Sequence, residues 1–427
     1  MNTDPIRKDY VWNTLGSLVY AAASVVLAFF AMRVLSAEDG GIFGFGFSTF
    51  GQQMFLIAYF GIRPFHITDV KPEYGFDVYR GARRKTTALA VLVAVLWLSV
   101  LTLTGTYTLS KAVCILMIAG WKITDGYADV YECECQRAGY LWRGGRELFF
   151  RTLAAMAVFL IVCALSKNLF VSSLAAVITQ IAAVLVFKKR LEASEAETFA
   201  AGMKQSGLFR CSALEKALLS GTVLLFLGVF LDFAIASSPK YAIDLLLNDE
   251  ASGIANILFM PANVIYMAAN FVMKPMVSRL ADALETGETE KYRAAKKKLL
   301  LLIAGLSALC LLCAVLFGGW ALGIAERILG AAYAGKLTAH AGEFVLIILG
   351  GCLYAFASLY YYLLVIRRKQ KGIFLCYLAV FAFAAVLAFV LVKKWGIPGA
   401  ATAYAASMSL VLCGFAIQEK TCDDRKL

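Results

Sequence analysis

The chain has 427 residues, of which 61% are hydrophobic and only 16% are charged. Because charged residues make up about a quarter of an ordinary soluble domain, this composition excludes that class and indicates a membrane protein. The net charge of +12 would suggest a nucleic-acid partner in a soluble protein, but the basic residues lie in alternate loops between apolar segments, so we expect no nucleic acid.

Twelve apolar stretches follow one another along the chain, each close to the roughly 20 residues that a helix needs to cross the hydrocarbon core. Since backbone groups must be paired internally in lipid, we predict an all-α polytopic membrane protein with about 12 transmembrane helices. The predicted spans lie at about residues 11–32, 42–62, 86–108, 112–132, 147–166, 169–187, 217–237, 252–273, 299–320, 343–365, 372–392 and 397–417.

The Lys and Arg residues outside these spans are distributed unevenly. The N-terminus, the even-numbered loops and the C-terminus hold 31 of the 41, whereas the odd-numbered loops hold eight. By the positive-inside rule, both termini are predicted to be cytoplasmic. The N-terminal MNTDPIRKDY runs into a full-length span without a cleavage site, so we expect the first helix to belong to the fold.

The longest polar break follows the sixth predicted span. It divides the chain into a six-helix lobe at 1–190, a cytoplasmic linker at 191–216 and a second six-helix lobe at 217–427. The first span leads into LSAEDGGIFGF and the seventh into LLLNDEASGIANILF, which are similar acidic, small-residue segments. This similarity indicates two repeats of equal orientation with a central cavity.

The fourth predicted span carries the sharpest polar feature. Lys122, Asp125, Asp129, Glu132 and Gln136 are spaced by 3, 4, 3 and 4 residues, which places them on one helical face. Ionisable residues inside a membrane are usually functional, and a face of this length is expected to line water or a polar cavity.

Two interpretations of the polar face of the fourth predicted span are open. In the structural one, Lys122 neutralises Asp125 and Asp129 one turn away and only orients the helix. In the functional one, Lys122 helps to hold an anionic headgroup such as a pyrophosphate, and Asp125 or Asp129 binds H⁺ or Na⁺ to drive transport.

Further candidates lie near helix ends, where extension of the side chain to the membrane surface is an alternative explanation. Those for substrate binding are Arg33, Arg63, Lys240 and Lys274, and Asp232 is a further candidate for ion coupling. We expect no catalytic residues, no nucleotide-binding loop and no cofactor beyond H⁺ or Na⁺. Cys133 and Cys135 lack partners at metal-ligand spacing, so no metal site is expected.

Several segments resemble the polysaccharide flippases, the Wzx-like lipopolysaccharide biosynthesis proteins, of the multidrug/oligosaccharidyl-lipid/polysaccharide exporter superfamily. These segments are GIRPFHITDVKPEYGFDVYRGAR, DGYADVYECECQRAGYL, SSPKYAID, FMPANVIYMAANFVMKP and LYYYLLVIRRKQ. Arg63, Asp125, Asp129, Lys240, Asp244 and Lys274 lie in them, and Lys122 lies just before the second.

The resemblance implies a two-lobed exporter of the bacterial plasma membrane. Such a protein passes a lipid-linked oligosaccharide from the inner to the outer leaflet by alternating access, with the pyrophosphate in a basic cavity and the lipid tail in the bilayer. A polysaccharide polymerase and glycosyltransferases of the same pathway are the implied partners. The alternatives are an ion-coupled drug/cation antiporter of the same superfamily, a membrane glycosyl-transfer or ligase enzyme, and a scaffold for an assembly complex.

Overall fold

A computed structural model describes residues 5–69, 73–194 and 212–424. Helices account for nearly all of these ranges, and no strand occurs within them. The chain forms two compact units, which we call the N-terminal unit (Met1–Phe230) and the C-terminal unit (Leu231–Leu427). Most of the predicted linker at 191–216 lies outside the described residues, and the lobe boundaries stay a prediction.

The described part of the N-terminal unit contains eight complete α-helices, and a π-helical turn (Gly46–Phe50) joins the second to the third. They are α1 (Pro5–Val34), α2 (Ala37–Phe45), α3 (Gly51–Tyr59), α4 (Arg63–Thr68), α5 (Phe76–Leu103), α6 (Leu109–Arg137), α7 (Leu141–Ser166) and α8 (Leu169–Ser194). The first half of α9 (Ala213–Leu246) also belongs to this unit.

Helix α6 is the central helix of the N-terminal unit. It packs against α3, α4, α5, α7, α8 and the π-helical turn. Side chains on almost every side of its second half are therefore buried in protein rather than in lipid. This surrounding explains how a helix with so many charges is accommodated, because neighbouring helices can supply partners that lipid cannot.

Two glycines allow the α2–α3 segment to approach α6 closely. A Cβ at Gly51 would lie 3.1 Å from Cγ of Lys122, and a Cβ at Gly126 would lie 2.7 Å from Cβ of Ala58. The π-helical turn lies beside the first of these contacts, and such turns occur often at functional sites. Because Gly51 has no side chain, the Lys122 side chain can pack directly against the π-helical turn.

The C-terminal unit contains the second half of α9 and five further α-helices. They are α10 (Asp249–Glu285), α11 (Thr289–Leu329), α12 (Ala341–Ile366), α13 (Gln370–Trp395) and α14 (Ile397–Asp424). Helix α12 is central here, because it packs on α10, α11 and α14.

Ten helices of the described ranges are long and apolar enough to cross a membrane. The two further predicted spans correspond to α6, whose charges exclude it from that group, and to the interrupted segment from α2 to α3. The polytopic all-α class is therefore supported, whereas the count of twelve spans and the cytoplasmic position of both termini stay predictions.

Candidate functional site

The polar face predicted from the sequence, formed by Lys122, Asp125, Asp129, Glu132 and Gln136, lies on α6, and we call it the α6 face. Its four charged residues are all buried in the N-terminal unit. Lys122, Asp125, Asp129 and Glu132 are 3%, 6%, 5% and 9% exposed, respectively. In this structure they contact side chains of neighbouring helices. The spacing along α6 places them together on the face that receives those side chains.

Two arginines from different helices hold Asp129. Arg83 of α5 is fully buried and donates to Asp129 Oδ2 at 2.7 Å, while Arg63 of α4 pairs with Oδ1. Arg83 also donates to the carbonyl oxygens of Ala58 and Tyr59, at the end of α3. Asp129 therefore joins α4, α5 and α6 in one charge-paired cluster.

A third arginine, Arg151 of α7, holds the other carboxylates. Its guanidinium is 3.2 Å from Asp125, 2.8 Å from Glu132 and 3.0 Å from Glu147, and Arg151 is only 2% exposed. Gln180 of α8 donates a further hydrogen bond to Asp125. Burial makes these pairs important, since removing one member leaves an uncompensated charge in a medium of low dielectric constant.

Glu132 links the two clusters. Its carboxylate accepts from Arg151 through Oε1, and Oε2 lies 3.7 Å from Arg63. Arg63 also donates to Gln136 Oε1 at 3.2 Å, so the α6 face is connected from Asp125 to its last member. The side chain of Arg63 is 31% exposed, which distinguishes it from the two fully enclosed arginines.

Lys122 has a different environment from these carboxylates. Its ammonium lies 3.9 Å from the centre of the Phe47 ring and 3.4 Å from the Tyr20 hydroxyl. Among the described residues no carboxylate forms an ion pair with it, because Asp125 and Asp129 are paired with arginines. The direct pairing of Lys122 with these two carboxylates, which the structural interpretation requires, is therefore not seen among the described residues.

The short helix α4, which carries Arg63, is fixed by a second polar cluster. The His66 ring is 2.8 Å from Glu134 and stacks on Tyr79 with centroids 4.0 Å apart. Asp69 accepts hydrogen bonds from the backbone N–H groups of Glu73 and Tyr74 at 2.8 and 3.1 Å. Burial lowers the pKa of His66. For Asp69, burial acts to raise the pKa, but these two hydrogen bonds help to lower it overall.

The C-terminal unit contains a second buried lysine. Lys240 of α9 is 9% exposed, and its ammonium is 5.3 Å from the centre of the Phe259 ring. In the described part of the chain no carboxylate forms an ion pair with it. Asp244, one turn further along α9, lies 3.5 Å from the Ser252 hydroxyl.

The two lysine–phenylalanine contacts use equivalent positions of the proposed repeat. Ser36 caps α2 by accepting from Asp39 N, and Asn248 caps α10 by accepting from Ala251 N. The two caps are 212 residues apart, and Phe47 and Phe259 are separated by the same 212 residues. A ring at the same register thus receives a buried ammonium in each unit, although the two lysines come from different helices.

Asp232 of α9 lies within a group of tyrosines in the C-terminal unit. The Tyr354 hydroxyl donates to its carboxylate at 2.5 Å, and the Tyr266 ring stacks on Tyr354 with centroids 4.2 Å apart. No lysine or arginine of the described ranges forms an ion pair with Asp232. A carboxylate placed among aromatic rings and hydroxyls is able to take up a proton or a cation.

Two candidates remain, Arg33 and Lys274. Arg33 is exposed in the last turn of α1, a position that fits extension of its side chain to the membrane surface. Lys274 belongs to α10, but its side chain lies outside the described part of the structure. Among the described residues, no three His, Cys, Asp or Glu side chains are arranged to hold a metal ion.

The structure adds residues that were not candidates from the sequence, namely Tyr20, Phe47, Arg83, Glu147 and Gln180. The burial of Arg83 could have been predicted from the helical spacing of apolar residues in the sequence. This arginine begins the buried row Arg83, Thr86, Ala90, Ala94 and Leu98, whose helical spacing extends the apolar face of α5 into the charged RGARRK segment.

No protein-family model matches the sequence, and no curated protein sequence matches it. Solved structures do match. A mutant form of the Vibrio cholerae MATE transporter VcmN is 12% identical with a TM-score of 0.62, covering 98% of this chain and 97% of that one. An inward-facing multidrug resistance MATE family transporter of the MOP superfamily is 11% identical with a TM-score of 0.61, covering 96% of both chains.

The lipid II flippase MurJ in its inward closed conformation is also similar. It is 12% identical with a TM-score of 0.61, and the match covers 95% of this chain and 87% of that one. At such low identities the comparison concerns the fold. These neighbours are transporters rather than enzymes, and the chain has the polytopic helical fold that they share.

Proposed function

We propose that this protein is a flippase that moves a lipid-linked oligosaccharide, carried on a polyprenyl pyrophosphate, from the inner to the outer leaflet for cell-surface polysaccharide export. The observation that carries the proposal is a buried ammonium in each unit, at Lys122 and Lys240, without a carboxylate partner among the described residues. A buried charge is costly unless it is paired, so each ammonium is suited to an anion that arrives with the substrate.

The pairing of the α6 carboxylates supports an anionic substrate. Asp125 and Asp129 are each bonded to arginine side chains, so neither offers an open carboxylate to a cationic drug. Among the described charged residues of the α6 face, Lys122 is the one that forms no ion pair. Ammonium groups are common phosphate binders in proteins, and a protein of similar fold, MurJ, is named as a lipid II flippase, which supports a lipid substrate.

We propose that the ion that drives the transport cycle binds to Asp232. Its carboxylate lacks a basic partner in the described ranges and accepts a hydrogen bond from Tyr354, so binding of H⁺ or Na⁺ would change its charge. Since intramembrane carboxylates often carry coupling ions, Asp232 is now a stronger candidate than Asp125 or Asp129, whose charges are already compensated.

The same carboxylate favours a second candidate function, an ion-coupled antiporter for organic cations. Rings of Tyr266 and Tyr354 beside Asp232 form the kind of aromatic and anionic surroundings that bind such cations. The MATE transporters of similar fold are named as multidrug resistance proteins. The two functions differ in the charge of the substrate and are separable by transport measurements.

The deciding experiment uses purified protein in liposomes that contain a fluorescent undecaprenyl-pyrophosphate oligosaccharide. An impermeant sugar-oxidising reagent reports the fraction of the sugar in the outer leaflet. We expect the protected fraction to exchange much faster than in protein-free liposomes. No acceleration, with or without an ion gradient, would overturn the flippase, and uptake of a cationic dye under the same gradient would establish the antiporter instead.

The flippase proposal also places the protein in a pathway. Glycosyltransferases that build the lipid-linked sugar would act before it, and a polysaccharide polymerase would act on the sugar in the outer leaflet. The location that fits this order is the bacterial plasma membrane, with both chain termini in the cytoplasm as the distribution of Lys and Arg predicts.

A further inference from the structure

A cavity of about 400 Å³ lies in the N-terminal unit, between the first turns of α7 and the last turns of α8. Four arginines line it, at positions 143, 146, 151 and 190, and Glu147 is its acidic residue. The lining is therefore strongly basic. Neither the flippase nor the antiporter uses the rim of this cavity, so its charge needs another explanation.

The arginines occupy two levels of the cavity. Arg146 and Arg190 are exposed at the mouth, and the Arg146 guanidinium lies 5.0 Å from the centre of the Trp142 ring. Arg151 lies deeper and is only 2% exposed. Its Nε and Nη1 groups have no well-directed hydrogen-bond acceptor in the described part of the chain, although carboxylates lie within ion-pair distance.

Apolar residues beside the cavity face the surroundings of the protein. Phe150 and Val186, which both line it, are 54% and 48% exposed. Both helices are long and apolar enough to cross a membrane, and the loops at this end carry many basic residues, so this end is expected at the cytoplasmic surface. Charged headgroups and acyl chains meet at that depth, with tryptophan commonly between them.

We propose that this cavity binds the phosphate headgroup of an anionic phospholipid, whose acyl chains lie along Phe150 and Val186. Guanidinium groups match phosphate oxygens through paired hydrogen bonds, and basic pockets between transmembrane helices are suited to such headgroups. The exposed apolar wall is the reason to assign a lipid rather than a free phosphate. The site needs no transport activity and is independent of the proposed function.

Arg151 connects this lipid site to the α6 face. Arg151 lines the cavity and is also bonded to Glu132 and near Asp125. A phosphate above Arg151 would compete with these carboxylates for its guanidinium. Lipid occupancy is therefore expected to stabilise or reposition α7 against α6.

The test is native mass spectrometry of the purified protein from mixed micelles of phosphatidylglycerol and phosphatidylcholine. The wild-type protein should retain phosphatidylglycerol in preference to phosphatidylcholine. The double variant Arg146→Gln/Arg190→Gln should lose about thirtyfold in affinity, because it removes two of the four guanidinium groups that line the cavity and can donate to the headgroup phosphate. The variant Arg146→Lys/Arg190→Lys should retain most of the binding.

The matched control is Lys188→Gln/Lys189→Gln, which removes the same charge from the same end of α8 but does not alter the cavity lining. It should bind phosphatidylglycerol like the wild type. Equal retention of phosphatidylglycerol by both glutamine variants would overturn the site. Binding of inorganic phosphate that equals the binding of phosphatidylglycerol would show a free-anion site and overturn the assignment to lipid.

Discussion

The ammonium of Lys122 lies 3.9 Å from the centre of the Phe47 ring, and Gly51 makes this contact possible by leaving room for the lysine stem. The charge is buried against a ring instead of a carboxylate. Cation–π attraction contributes part of the stabilisation that an ion pair would give, so the site keeps the ability to attract an anion.

The first prediction concerns this lysine. Lys122→Gln should lower the rate of oligosaccharide flipping by about tenfold to a hundredfold, the loss expected when one hydrogen bond to a charged group is removed. The liposome exchange assay measures it. Lys111→Gln is the matched control, because Lys111 is on the same helix and lies 4.1 Å from the Tyr107 ring. Equal rates for Lys122→Gln and wild type would exclude the role proposed for Lys122.

The second prediction concerns Arg151 and the stability of the N-terminal unit. Arg151→Met leaves Glu147 and Asp125 without their arginine partner, and breaking such buried pairs typically costs about 3–5 kcal/mol. Thermal unfolding in detergent should show a large decrease in the melting temperature. Arg146→Met, an exposed position on the same helix, should change stability by less than about 0.5 kcal/mol.

A double variant distinguishes lost pairing from lost packing. Replacing Arg151 by Met and Glu147 by Gln together removes one carboxylate that the single variant leaves unpaired, and should recover part of the stability. If the double variant is as unstable as Arg151→Met, the guanidinium acts mainly by filling space.

The spacing of charges along α6 was sufficient to predict one polar face, because helical periodicity is a local property. The partners of that face were not predictable in the same way. Arg83 is 46 residues from Asp129 in the chain, and it stands in a basic segment that the positive-inside rule assigns to a loop. Helix α5 begins at Phe76, ten residues before the predicted span, so this arginine is in the helix and reaches the core.

A hydropathy average along the sequence also does not identify α6 as a membrane-spanning helix. Its charges are neutralised by residues from α4, α5 and α7, and only the packed structure brings these together. Hydropathy counts the unfavourable transfer of each charge into lipid, but it does not include the distant residue that pairs with that charge. For the same reason the sequence alone did not decide whether Lys122 or distant arginines compensate the carboxylates.

The third prediction separates ion coupling from substrate binding. Asp232→Asn removes the charge but keeps the hydrogen bond to Tyr354 possible, so the fold should persist. Flipping or dye transport should then lose its response to an imposed H⁺ or Na⁺ gradient. Tyr354→Phe removes the hydroxyl that donates to Asp232 but leaves the carboxylate charge. Transport by this variant should still respond to the gradient, although with a changed dependence on the ion concentration. A wild-type gradient response in Asp232→Asn would move the coupling site elsewhere.

The last prediction concerns pH and His66. Burial lowers the pKa of His66 in the folded protein, so between that value and the ordinary histidine pKa of about 6.5 the unfolded chain binds a proton that the folded chain does not. Stability contributed by the neutral ring should therefore be complete above about pH 6.5 and decline as the pH falls below it.

Melting temperatures measured across this range should fall more steeply for wild type than for His66→Gln. If His66→Gln keeps the wild-type slope, the ring does not control the acid sensitivity of α4 and its arginine.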